Sequence, residues 1–145
     1  MINTYLRVQL LSDTAKMPVR ANPEDAGLDV FTPKDVIVKA QSDLLIPLDI
    51  RVEFPKGFAL ITQEKSGIST KKKLDIGAKI IDSNYRGNCH VHLFNNSDID
   101  AEFKCGEKIA QLLLVPIWCG NPIKVENIDT NTSRGEGGFG STGNI

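Results

Sequence analysis

The stretch Gly77-Ala78-Lys79-Ile80-Ile81-Asp82-Ser83-Asn84-Tyr85-Arg86-Gly87, continued by Asn88-Cys89-His90-Val91-His92-Leu93-Phe94-Asn95, decides the reading of the fold. Paired isoleucines, a run of turn formers and an alternating apolar segment predict a strand, a turn and a second strand, with Asp82 and Tyr85 at a hairpin bend. A bend of this kind can hold a carboxylate toward a ligand while the flanking backbone offers N–H and C=O groups to a flat polar molecule. Asp, Ser and Asn equally make an ordinary solvated turn. His90 and His92 fall on one strand face and Cys89 on the other. Two histidines are an incomplete metal site without help from another chain, and polar pairs on an exposed strand face are routine.

Upstream, Val36-Ile37-Val38, Leu44 to Leu48, Ile50 to Phe54 and Phe58 to Thr62 are short β-rich segments separated by Pro and Gly punctuation, and Tyr5 to Leu11 alternates as a half-buried strand does. No segment carries a sustained helical stripe, so the pattern predicts an all-β sandwich or barrel. The best place for a single short helix is Glu64 to Lys73, where Lys65, Ser66 and Gly67 at a loop-to-helix boundary can hold phosphate. The triple lysine Lys71-Lys72-Lys73 reads as a solvated face. Asp29 lies in the strand-like run Leu28 to Phe31, where a buried acid needs a partner: a structural cation, or a metal or ligand. Downstream, Asn96 to Glu102 reads as a polar loop and Ile109 to Ile117 as a buried strand. Gln111 alone interrupts that run, either crosslinking backbone or reaching into a site. Ile123 to Val125 is a candidate last strand.

From about Glu126 the composition changes. Arg134 to Gly143 contains five glycines, which disfavours helix and strand and predicts a flexible arm. Arg134, Phe139, Ser141 and Thr142 would equip such an arm with a cation, a stacking ring and two hydroxyls, enough to close over a nucleotide. The expected organisation is therefore a β domain over residues 1–125 and a glycine-rich arm over residues 126–145.

The 145 residues suit one domain, burying roughly 68–70% of the unfolded chain's surface. A net charge of −1 argues against a coat for nucleic acid or an anionic membrane, so any anionic ligand needs a local site. Cys89, Cys105 and Cys119 are odd in number and widely spaced, which suits a reducing interior and not a disulfide framework or structural zinc site. Without a targeting peptide or a membrane-length apolar run, the expectation is a soluble, cytoplasmic or otherwise intracellular chain.

Taken together, the motifs resemble those of the trimeric deoxyuridine triphosphatase (dUTPase) family over nearly the whole chain. Ala26-Gly27-Leu28-Asp29 looks like the first motif, Lys65-Ser66-Gly67 the second, Gly77 to Gly87 the third, Gly106 to Leu112 the fourth and Arg134 to Gly143 the fifth. The resemblance implies a homotrimer of distorted jelly-roll-like β-barrel (β-clip) subunits that hydrolyses dUTP to dUMP and pyrophosphate with Mg²⁺. Each site would take the third motif from one chain, the first, second and fourth from a neighbour, and the tail from the third chain.

Under that resemblance Asp82 deprotonates the attacking water, and Tyr85 packs on the deoxyribose, leaving no room for a 2′-hydroxyl. Ala78, Lys79 and His90 read the uracil edge through their backbone, with Ile81 beside them. Ser66, Gly67, Gln111 and Lys65 contact the phosphates. Asp29 acts on Mg²⁺ through water. Phe139 stacks on uracil next to Gly140, and Arg134, Ser141 and Thr142 grip the γ-phosphate. Four positions depart from the family pattern: Lys65 for arginine, Lys79 for a frequent glycine, Asn84 for a second aspartate, and Leu28 for an aromatic residue. Rival readings are the related dCTP deaminases, and a non-enzymatic module that senses nucleotide or docks a protein partner. A zinc deaminase is disfavoured because its H-x-E and P-C-x-x-C signature is absent.

Overall fold

A computed structural model describes residues 4–138. The strands are β1 (Arg7–Leu10), β2 (Leu28–Phe31), β3 (Val36–Val38), β4 (Ser42–Pro47), β5 (Ile50–Glu53) and β6 (Phe58–Gln63). After helix α1 (Ser66–Lys72) come β7 (Leu74–Gly77), β8 (Ile80–Asp82), β9 (His90–Asn95), β10 (Ala101–Phe103) and β11 (Lys108–Pro116). All pairings are antiparallel and form four small sheets, ordered β2-β11-β6-β8, β4-β9-β7, β1-β5 and β10-β3. They wrap around one core as a distorted jelly roll, without closing into a regular barrel.

Alternation explains the wrapping. Along β9 the inward residues Val91 and Leu93 are fully buried while His90 and His92 are only half-buried, and β3 and β5 alternate in the same way. Ile46, Leu60, Leu74, Ile109 and Leu112 complete a shared core drawn from several sheets. The continuous apolar run of β11 is central, pairing with β2 on one side and β6 on the other, as a strand buried on both faces should.

The expected hairpin is not one. β8 pairs with β6, whereas β9 pairs with β4 and β7, so residues 83–89 cross from one sheet to another. The crossing begins with a turn in which Tyr85 N–H donates to the Asp82 carbonyl, and ends with Cys89 N–H donating to Ile50 O. β9 has both edges taken, by β4 and β7, so the edge strand β8 has no edge of β9 to pair with. Two smaller corrections follow the same logic. Part of the predicted polar loop is β10, fixed by pairing with β3. Residues 123–125 form no strand and are exposed, with Ile123 85% accessible.

Candidate active site

Asp82 ends β8, with its side chain exposed and without a hydrogen-bond partner among the described residues. It lines a cleft of about 170 Å³ with Ala78, Ile80, Ile81, Tyr85, Asn88, Cys89 and His90. Drug-sized sites run to about 300–1,000 Å³, so this cleft is smaller than a pocket for a whole drug-sized ligand. On its other side Asp82 borders a wider groove of about 670 Å³, beside Lys56, Asn84 and Arg86. A carboxylate shared between a small polar-apolar cleft and an open groove can face a bound nucleoside while remaining reachable by water.

Tyr85 is held at both ends. Its N–H closes the turn on Asp82, and its hydroxyl donates to the Asn88 carbonyl at 2.9 Å. The ring crosses Gly87 so closely that a Cβ there would lie 2.2 Å from the phenol oxygen, so Gly87 is required for this placement. His90 also reaches the Asn88 carbonyl through Nδ1, at 2.8 Å. The structure therefore brings together Ala78, Ile81, Asp82, Tyr85 and His90. Lys79 does not line the cleft: its carbonyl accepts from the Thr62 N–H and hydroxyl, leaving only its N–H for a ligand edge. The positive φ of this segment falls on Ala78, at 45°, so a side chain at Lys79 is unstrained. That side chain binds Glu64 at 3.0 Å and Gln63 at 3.3 Å.

A second cluster joins the first, second and fourth motifs. Asp29, on β2, is 4% exposed and lies between the ammonium groups of Lys65 and Lys108, the latter 2.7 Å away but off the hydrogen-bonding direction. Burial pushes the Asp29 pKa up, but the close ammonium groups of Lys108 and Lys65 outweigh it and hold the carboxyl below its usual range. Of the options open for Asp29, the structural cation is thus realised, twice. Gln111 crosslinks backbone, donating to Glu64 O at 2.8 Å. Its Oε1 passes where a Gly27 Cβ would be, 2.1 Å away, so the first-motif glycine makes room for the fourth-motif amide. Glu64 ties the cluster to β7 and to the link before β8, because its carboxylate takes the Ile76 N–H and Lys79 Nζ. Burial raises the Glu64 pKa, and hydrogen bonds from its own backbone N–H, Lys79 and the Ile76 N–H more than reverse it.

Ser66 and Gly67 open α1 on the exposed surface. Lys65 provides no side-chain cap, and a Cβ on Gly67 would meet nothing within 4 Å, so the first-turn backbone is open to approach. Arg134 is exposed, with Nε donating to Gly137 O at 2.8 Å. Phe139, Gly140, Ser141 and Thr142 lie outside the described residues. Sequence reasoning missed Lys108, Glu64 and Asn88; the position of Lys108 in the fourth motif was the one available signal. No group of three or more His, Cys, Asp or Glu converges among the described residues, His90 and His92 included. His92 instead pairs with Asp43 at 2.7 Å.

Fold and site together define an all-β protein with a carboxylate-bearing cleft and a separate cationic cluster. The dUTPase family model matches residues 13–143. A deoxyuridine 5′-triphosphate nucleotidohydrolase of Arabidopsis thaliana is 41% identical, over 96% of this chain and 83% of its own. A mitochondrial one of Dictyostelium discoideum is 40% identical, over 94% and 76%. The Staphylococcus bacteriophage 80alpha dUTPase with dUPNHPP superposes with a TM-score of 0.89 at 32% identity, covering 96% of this chain and 98% of that one. A mutant dUTPase from phage phi11 of S. aureus, whose structure concerns coordination of a structural Mg(II) ion, gives 0.80 at 30% identity, over 85% and 97%. This chain belongs to the dUTPase family. No described helix is long and apolar enough to cross a membrane.

Proposed function

We infer that this chain hydrolyses dUTP to dUMP and pyrophosphate, with Asp82 as the base. The observation that carries the reading is the Asp82 carboxylate, without a partner among the described residues, at the mouth of the cleft beside Tyr85. Water attacks the α-phosphorus, Asp82 takes its proton, and the bond from the α-phosphorus to the bridging α–β oxygen breaks to release pyrophosphate. Phosphoryl transfer asks a protein mainly for positioning and charge neutralisation, to which a general base adds about 10²–10⁴-fold. Tyr85 packs on the deoxyribose and excludes a 2′-hydroxyl; Ala78, Ile81 and His90, with the Lys79 N–H, address the uracil.

The cleft is too small for a whole nucleoside triphosphate, and the cationic cluster is a separate constellation. Both facts support a homotrimer in which a neighbour's Lys65, Ser66, Gly67 and Gln111 receive the phosphates. Residues 126–145 then act as an arm over a site, with Arg134 on the γ-phosphate, Phe139 and Gly140 at the base, and Ser141 and Thr142 assisting. The donor set fits Mg²⁺ carried by the substrate: without a protein cage, an Asp29 whose oxygens both face lysines suits contact through the ion's waters and not direct ligation. When bound, Mg²⁺ neutralises charge on the phosphate oxygens.

The test is pyrophosphate release with Mg²⁺ from dUTP, UTP, dCTP and dTTP in separate reactions, with ammonia followed in each. Release from dUTP alone is expected. Ammonia from dCTP would overturn the reading in favour of deamination, and silence with all four, with dUTP still bound, would favour a sensing or docking module.

A further inference from the structure

Asn88 precedes β9 and Asn95 ends it, and their amides are treated differently. Asn95 is 1% exposed and fully used: Nδ2 donates to Val38 O and Ile99 O, and Oδ1 takes the Ser97 N–H and hydroxyl. Asn88 donates Nδ2 to Asp49 Oδ1 at 3.0 Å, while its own Oδ1 is buried with no partner among the described residues. A carboxylate only accepts, so this bond fixes which end of the amide faces Asp49. Asp49 has a φ of 53°, in the left-handed region, and its carbonyl takes the Leu11 N–H. The Asn88 main-chain oxygen is meanwhile the shared acceptor of the Tyr85 hydroxyl and His90 Nδ1.

We propose that Asn88, anchored on Asp49, is a positioning residue for sugar discrimination: it sets where the Tyr85 ring and the His90 edge stand in the nucleoside cleft. The inference rests on the reading of Tyr85 as the group that meets the deoxyribose. Asn88 belongs to the crossing between the sheets, whose backbone no continuous ladder holds. The peptide that carries this carbonyl is tied through the Cys89 N–H to Ile50 O, and the side-chain anchor on Asp49 is its second tie, holding the carbonyl, and the phenol bonded to it, in register with Asp82. The unpartnered Oδ1 fits a residue placed for its anchor and its carbonyl, not for saturating its own amide as Asn95 does.

The experiment uses the full chain and compares Asn88→Asp, Asp49→Asn and the double variant, measuring kcat and KM for dUTP and UTP together with Tm. Asn88→Asp sets two carboxylates against each other and breaks the anchor. The double variant restores one donor and one acceptor with their polarity reversed and the net charge unchanged. Asn88→Asp is expected to narrow the preference for dUTP over UTP by about tenfold, mainly through KM, and the double variant to return it to within about threefold of the parent, as removal of a hydrogen-bonded discriminating contact should. An unchanged preference in a folded Asn88→Asp protein would overturn the proposal, as would a double variant that recovers Tm without recovering preference. If the parent protein itself releases no pyrophosphate from dUTP, the broader functional reading fails first. A parent that is selective while all three variants match it sinks this inference alone.

Discussion

The Asp82 cleft and the Asp29 cluster both centre on a carboxylate, and they handle it in opposite ways. Asp82 is exposed at a strand end with no protein partner among the described residues, whereas Asp29 is buried within the edge strand β2 between two lysines. A carboxylate left open can take a proton from a water molecule. One bound by two cations is committed to holding them, and the surplus positive charge it leaves is what a phosphate chain needs. The same side chain thus serves as reagent at one place and as scaffold at the other, according to burial and neighbours.

The comparison breaks most sharply at Asp82. Asp82→Asn is expected to lower turnover by about 10²–10⁴-fold. Affinity for a non-hydrolysable dUTP analogue, measured by calorimetry, should change little. Substantial residual turnover would remove Asp82 from the role of base.

Asp29→Asn should act on stability. It strips two lysines of their partner, at a cost of about 2 kcal/mol by denaturant unfolding. That is less than the about 3–5 kcal/mol of a wholly buried pair, because both ammonium groups reach solvent. The pH dependence has a definite sign: with its folded pKa lowered, Asp29 stabilises the fold above its unfolded pKa of about 3.9, and the contribution disappears as pH falls through the folded value. The stability gap between parent and variant should therefore close on acidification below about pH 4; a gap constant with pH would contradict the ion-pair account.

The smallest effect sharpens the cluster's geometry. Gly27→Ala places a methyl on Gln111 Oε1 and should cost about 1 kcal/mol, through the Gln111–Glu64 bond. Pairing it with Gln111→Ala should abolish most of that cost, as a double-mutant cycle would register.

The strands were legible because each is short, alternating or continuously apolar, and cut by Pro, Gly or polar residues; α1 stood out as the stretch lacking that pattern. What local sequence does not carry is partner choice. Ile80 to Asn95 reads as a hairpin until β6 and β4 claim its two halves, and Ala101–Phe103 is a strand only because Val36–Val38 lies opposite. Residues 123–125 show the converse, a β-prone sequence without a partner among the described residues. The site was legible as motifs and not as contacts: the need for a cation at Asp29 was plain, its doubling by Lys108 was not, and nothing near Asn88 announced an anchor on Asp49.

The crossing between β8 and β9 carries one more consequence. Because the cleft's walls belong to two sheets, its width is gauged by the core that separates them, where Ile81 and Cys89 have one side on the cleft and the other on the packed interior. The hydrophobic core is thus also a caliper: a methylene added or removed there would register in which sugar the pocket admits as well as in how firmly the protein folds.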